Sequence, residues 1–154
     1  MSGPVGGLVS RSVSAQVAAL ARGWVGTPYV AGASVQGAGC DCLGLVRGLW
    51  RAVHGAEPEP VPAYGPGWAD LAVGEPLGEA LGRHLAAVPA GAALGLGEVL
   101  LFRLRARGAA NHLGVLVQAG AAPRFVHAWE RHGVVESALS PPWARRLVGR
   151  FVMG

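Results

Sequence analysis

The hydrophobic and polar positions of the chain change period once, near Gly97, and that change separates helices from strands. Before it, apolar residues recur at helical spacing. Val13, Val17, Leu20, Ala21 and Trp24 share one face behind a cap at Ser12 or Ser14. Gly26-Thr27-Pro28 ends that run, because Pro28 cannot continue a helix and holds Thr27 extended. A second stripe passes through Cys42, Leu45, Val46, Leu49, Trp50 and Val53, with Gly44, Arg47, Gly48 and Arg51 opposite. The glycines at 37 and 39 stop this helix from extending backwards, and Asp41 is suited to cap it. Leu77, Ala80, Leu81, His84, Leu85 and Val88 predict a third helix over 75–88. The intervening segments read as a loop of small residues over 31–39 and a proline-stiffened excursion through Glu57-Pro58-Glu59-Pro60 and 62–66, with order returning near Trp68–Asp70.

After Gly97 the pattern is that of strands at 99–104, 112–118, 125–130 and 147–152, with a further candidate over 134–139. Helices followed by strands on short turns predict an α+β fold, with N-terminal helices packed on an antiparallel sheet. The 154 residues suit one domain, 12–154, behind a flexible tail over 1–11.

Composition narrows the setting. Hydrophobic residues make up 51% of the chain, yet no run reaches the roughly eighteen apolar residues of a membrane span, so no membrane insertion is expected. The two cysteines are nearly adjacent and give no disulfide framework. A net charge of +4, carried entirely by arginine, suits a polyanionic neighbour such as a cell wall or nucleic acid. The arginines are scattered, with only Arg145-Arg146 adjacent and Arg103, Arg105 and Arg107 alternating as on a solvated strand face, so direct nucleic-acid binding is not expected. No export signal is read: the segment before Ala19-Leu20-Ala21 carries Ser14 and Gln16 and serves better as a helix.

The candidate chemistry lies in three residues. Cys42 falls in the first turn of the second helix, where unpaired N–H groups and the positive dipole end favour a thiolate and predict a lowered pKa. The plain alternative is a small core residue. Strand alternation puts His112 on one face with Gly114 and Leu116, and His127 on one face with Phe125 and Trp129. A hairpin turning at Ala119-Gly120 sets both imidazoles on one side of the sheet. If the cysteine helix packs on that side, the three side chains converge. His112 could then take the thiol proton and return it to a leaving amine, while His127 orients the ring. His54, His84 and His132 lack such context. A rival set is zinc, held by Cys40, Cys42, His112 and His127, although Cys-x-Cys is tighter than the usual ligand spacing and an Asp41 cap points the two sulfurs apart.

These residues also carry a resemblance. Gly26-Thr27-Pro28-Tyr29, Asp41-Cys42-Leu43-Gly44-Leu45-Val46, Gly97-Glu98-Val99-Leu100-Leu101-Phe102, Asn111-His112-Leu113-Gly114-Val115 and Val126-His127-Ala128, in that order, resemble the NlpC-type cell-wall peptidases, which are papain-like cysteine hydrolases. The resemblance runs from about Val17 to the C-terminus. It implies Cys42 as nucleophile, His112 as base and His127 as the polar third residue. It also implies Tyr29 as a site-lining group that helps stabilise the oxyanion, and Asp41 as a residue that can meet the free amine of a trimmed peptide stem. The backbone N–H of Cys42 is a candidate oxyanion donor. Leu43 departs from the Ser common in the family and removes a hydroxyl from the substrate side.

Cys40-Asp41-Cys42-Leu43-Gly44-Leu45-Val46-Arg47-Gly48, the segment Pro62 to Trp68 and the Leu100-Leu101-Phe102-Arg103 strand resemble a branch encoded among tail genes of phages and gene transfer agents. The expectation is a peptidoglycan peptide-stem hydrolase, cleaving the γ-D-glutamyl–diamino acid bond. It would need no metal or organic cofactor and would sit at the tail tip or baseplate hub of a phage-like particle. It would be made in the cytoplasm and act in the periplasm or wall of the target cell. The alternatives are a structural tail-tip component with little activity, or an amidase or acyltransferase using the same triad.

Overall fold

The computed structural model describes residues 3–59 and 74–154, with side chains from residue 13 onward. The expectations for 62–66 and for Trp68–Asp70 lie outside the described residues. Helix α1 (Gly3–Gly23) begins upstream of the Ser12 or Ser14 cap that the pattern predicts, and takes in most of the segment read as a tail. It buries Val17, Ala18 and Ala21, and Trp24 just past its end packs with them. The small-residue loop folds into a short hairpin, β1 (Ser34–Val35) against β2 (Gly39–Cys40). The chain then enters α2 (Cys42–His54).

Helix α3 (Pro76–His84) stops four residues short of the predicted end. Leu85 turns extended, and Ala86–Ala87 becomes β3, paired with the last strand, β8 (Leu147–Val152). Val88 N–H donates to Arg150 O at 2.8 Å and continues that pairing. Edge hydrogen bonding thus overrides the helical period of Leu85 and Val88.

Between β3 and β8 in sequence lie β4 (Val99–Phe102), β5 (His112–Gln118), β6 (Arg124–Trp129) and β7 (Gly133–Ala138), the last confirming the candidate strand over 134–139. Among the described residues these six strands form one antiparallel sheet in the order β3-β8-β4-β5-β6-β7. The α+β class and the helix-on-sheet arrangement are as the sequence predicts.

Both faces of this sheet are covered. Leu101, Leu113, Val115, Val126 and Ala128 form the main core with Val17 and Ala21 of α1 and Leu45 and Leu49 of α2. The other face carries Leu100, Phe102, Leu116 and Phe125, roofed by Trp143 from the short helix α4 (Pro141–Ala144). Burial on both sides explains why β4 is apolar at every position instead of alternating.

The glycines of α2 differ from their sequence reading. Gly44 and Gly48, placed by the stripe on the helix's polar side, are buried. A Cβ at Gly44 would fall 1.8 Å from Ala33 O, and one at Gly48 would fall 2.3 Å from the Trp24 ring. Where β4 meets β8, a buried ion pair joins Arg150 Nε to Glu98 Oε1 at 2.7 Å. Arg150 also donates to the carbonyls of Ala92 and Ala93, binding the approach to β4 onto β8.

Candidate active site

Asp41 sets the position of the cysteine. Its backbone is extended (φ −105°, ψ −172°), and its Oδ1 accepts from Gly44 N–H at 2.7 Å, the geometry of an N-cap. The other oxygen accepts from Gly32 N–H at 2.8 Å, so one carboxylate joins the helix start to the preceding loop. Tyr29 lies alongside: it bridges Cys40 in parallel, with Val30 N–H donating to Cys40 O and Cys40 N–H to Pro28 O, each at 3.0 Å. Burial, with Cys42 and Asp41 nearby, pushes the Tyr29 hydroxyl up to about 12, so it stays neutral and able to donate.

Cys42 is half-buried, and its Sγ–H donates to Asn111 O at 3.9 Å. The predicted lowering of its pKa is reversed. Burial first, then the Asp41 carboxylate, pushes the thiol up to about 12. The N–H groups of Leu113, Leu43 and Cys42 itself pull the other way and are outweighed. A helix N-terminus favours a thiolate only when the charge keeps enough solvation, and here desolvation and the adjacent like charge outweigh it.

The two histidines form a relay. His112 Nε2 and His127 Nδ1 are 2.8 Å apart, their rings nearly perpendicular at 80°. The pairs Val115↔Val126 and Leu116↔Phe125 set the register that makes them diagonal neighbours on one side of the sheet. His127 Nε2 continues to Ser137 Oγ at 2.9 Å. Aromatic rings surround the pair: Trp143 lies 5.6 Å from His112 and 5.0 Å from His127 between ring centres, Phe102 lies 5.9 Å from His112, and Phe125 lies 4.3 Å from His127. Burial pulls His112 down to about 3, with His127 adding to it, and His127 down to about 4, so both rings are neutral at pH 7.

The manner of convergence also differs from the sequence expectation. Helix α2 packs on the face of Leu113 and Val115, whereas the imidazoles lie on the opposite face with Phe102 and Phe125. Cys42 therefore reaches the start of β5, at the carbonyl immediately before His112. Its hydrogen bond goes to that carbonyl and not to the ring. Since His127 occupies Nε2 of His112, Nδ1 is the ring nitrogen left for a thiol. Next to Asn111 opens a cleft of about 480 Å³ that Leu104, Arg105, Trp129, Arg131 and His132 also line. A second hollow, about 300 Å³, adjoins it through Leu104 and Trp129 and reaches Trp143.

Leu43 lines a separate apolar hollow with Val46, Trp50, Leu77 and Leu81 and so contributes packing. Cys40 is fully buried, its thiol also pushed up to about 12 by burial. Among the described residues no three His, Cys, Asp or Glu side chains are placed to hold a metal ion, so the four-residue zinc set is not assembled.

Sequence pattern alone does not mark Ser137 or Trp143 as site residues. Alternation puts Ser137 on a face with Val135 and Leu139, but only the β6–β7 register reveals that this face meets His127. Trp143 sits in a four-residue helix after two prolines, too short to show a period.

No family model and no curated protein sequence matches the chain. Solved structures do. The NlpC/p60 domain of the peptidoglycan hydrolase SagA superposes with a TM-score of 0.60 at 20% identity, over 91% of this chain and 98% of that one. A protein of the NLP/P60 family from Staphylococcus aureus subsp. aureus Mu50, described as similar to a lipoprotein, gives 0.58 at 19% identity over 93% of this chain. The match spans 42% of the staphylococcal protein. The chain shares the fold of these NlpC/P60 proteins.

Proposed function

We propose that the chain is a cysteine peptidase that cleaves an amide in the peptide stem of peptidoglycan. The observation that carries this reading is the placement of the Cys42 thiol on the carbonyl preceding His112, whose far ring nitrogen is held by His127. The ordered motifs from Gly26 to Ala128 and the fold likeness to a peptidoglycan hydrolase domain support the substrate class.

In the proposed course, Cys42 Sγ attacks the scissile carbonyl carbon as His112 Nδ1 takes the thiol proton. The Cys42 N–H and the neutral Tyr29 hydroxyl face the developing oxyanion. The C–N bond breaks, the amine leaves with the proton from His112, and a thioester remains. Water then attacks, giving a proton to His112 and its oxygen to the new carboxyl, and the thiol is restored. Because thiol and imidazoles are neutral at rest, proton transfer accompanies attack and no ion pair is stored beforehand.

The bond we propose is that between the γ-carboxyl of D-glutamate and the diamino acid. The setting we propose is the tail tip or baseplate hub of a phage-like particle, acting on the wall of the target cell. It is supported by the resemblance to the tail-gene branch.

Digestion of purified peptidoglycan followed by mass spectrometry of the released stems tests the reading. The expected products carry a new γ-glutamyl carboxyl and a new diamino-acid amine. Cys42→Ser and His112→Ala should each reduce the rate by roughly 10³-fold or more. Intact stems with the native protein, or cleavage surviving in Cys42→Ser, refute it. A second reading, a structural tail component with little activity, draws on the neutral resting thiol and predicts intact stems from a fully folded protein.

A further inference from the structure

We propose that Ser137 is the positioning residue that closes the histidine relay, accepting from His127 so that His112 presents a bare Nδ1. His112 Nε2, His127 Nδ1, His127 Nε2 and Ser137 Oγ form an unbroken line with separations of 2.8 and 2.9 Å. Each neutral ring carries one proton, so the same heavy atoms admit two continuous patterns.

In the first, His112 Nε2–H donates to His127 Nδ1, and His127 Nε2–H donates to Ser137 Oγ. His112 Nδ1 is then a bare acceptor, the form a general base requires. In the second, Ser137 Oγ–H donates to His127 Nε2, and His127 Nδ1–H donates to His112 Nε2. His112 Nδ1 then carries the proton and cannot accept another without becoming charged in a buried site. The two patterns have equal charge and differ by one ring proton on each histidine. A serine hydroxyl can end either pattern, as acceptor in the first and donor in the second, whereas an apolar residue ends neither; the first is the pattern proposed.

The sheet fixes this geometry. The pairs Phe125↔Ser137 and His127↔Val135 place Ser137 diagonal to His127, as the β5–β6 register places His127 diagonal to His112. Three adjacent strands thereby give one side chain each to a single line. The structural consequence stands on its own, and the catalytic one rests on the cysteine-peptidase reading.

The test is ring-nitrogen NMR of the full chain with ¹⁵N-labelled histidine at neutral pH, where protonated and bare ring nitrogens resolve. The native protein is expected to show Nε2–H on both His112 and His127. In Ser137→Ala, a population of Nδ1–H should appear on both. On the peptidoglycan assay kcat should fall roughly 10- to 100-fold with KM little changed, the range typical of residues that orient reacting groups. Ser137→Thr, which keeps the hydroxyl, should restore both readouts. A proton on Nδ1 of His127 in the native protein overturns the proposal, and that measurement needs no variant to fold. So does a Ser137→Ala protein whose ring nitrogens and kcat match the native ones. A native chain with Nε2–H on both rings but no peptidase activity upholds the relay and refutes the peptidase reading instead.

Discussion

His112 and His127 are more informative as buried bases than as motif letters. Both have native pKa values below the ordinary 6.5, at about 3 and about 4. Between pH 6.5 and those values the unfolded chain binds protons that the folded chain refuses. Stability therefore rises with pH across this window and is lost as pH falls through it. Each such proton contributes a slope of about 1.4 kcal/mol per pH unit. Urea unfolding followed from pH 7 to pH 4 should show this decline, and a His127→Gln protein should show it with a shallower slope. An unchanged slope would mean that His127 is solvated. The sequence revealed the two histidines and their common side of the sheet, because alternation and a hairpin suffice for that. It did not reveal their burial, since Trp143 arrives from another element and neither ring carries a local sign of its cover.

Helix α2 shows how a correct period can still mislead about surroundings. The stripe from Cys42 to Val53 predicts the helix and its core face, both of which the structure contains. It also relegates Gly44 and Gly48 to a polar side, where replacement by alanine ought to stabilise the helix by about 1 kcal/mol each. The structure reverses that sign. An alanine at 48 would press into the Trp24 ring, and an alanine at 44 would collide with backbone at Ala33 O. Thermal unfolding should show Gly48→Ala destabilised by about 1–3 kcal/mol, and Gly44→Ala destabilised by more, because a carbonyl cannot swing aside as a ring can. A gain in stability for either would mean that the hairpin and α1 do not seat against α2 as described. Sequence periodicity marks which face of a helix must be buried. It cannot show that a second face is approached closely enough to require glycine, because that depends on where the β1–β2 hairpin lands.

Across the domain, the two core layers are held to one sheet in which Arg150 and Glu98 clamp β8 to the approach to β4. Both side chains are buried, and the guanidinium also donates to the carbonyls of Pro89, Ala92 and Ala93 in the segment leading to β4. Arg150→Ala would strand a buried carboxylate and should cost about 3–5 kcal/mol in equilibrium unfolding. Replacing Arg150 and Glu98 together by Met and Leu should recover much of that loss, since removing both charges leaves neither unpaired. If the double replacement were as damaging as the single one, packing by the arginine stem would be the larger contribution. The sequence placed both residues in or beside strands and gave no sign of their pairing, which spans most of the sheet's connectivity.

The sheet stands between the helix that begins at Cys42 and the imidazoles, which has a practical consequence for assaying the peptidase activity we propose. Neither layer alone contains the proposed reaction centre, which requires the two to be correctly mated. Loosening of either the helical layer or the aromatic roof leaves every reactive atom intact while changing the separation between sulfur and ring. Partial openings of this kind lie well below the cost of global unfolding. Turnover should therefore fade on heating before circular dichroism records any melting, making activity the finer thermometer of this fold.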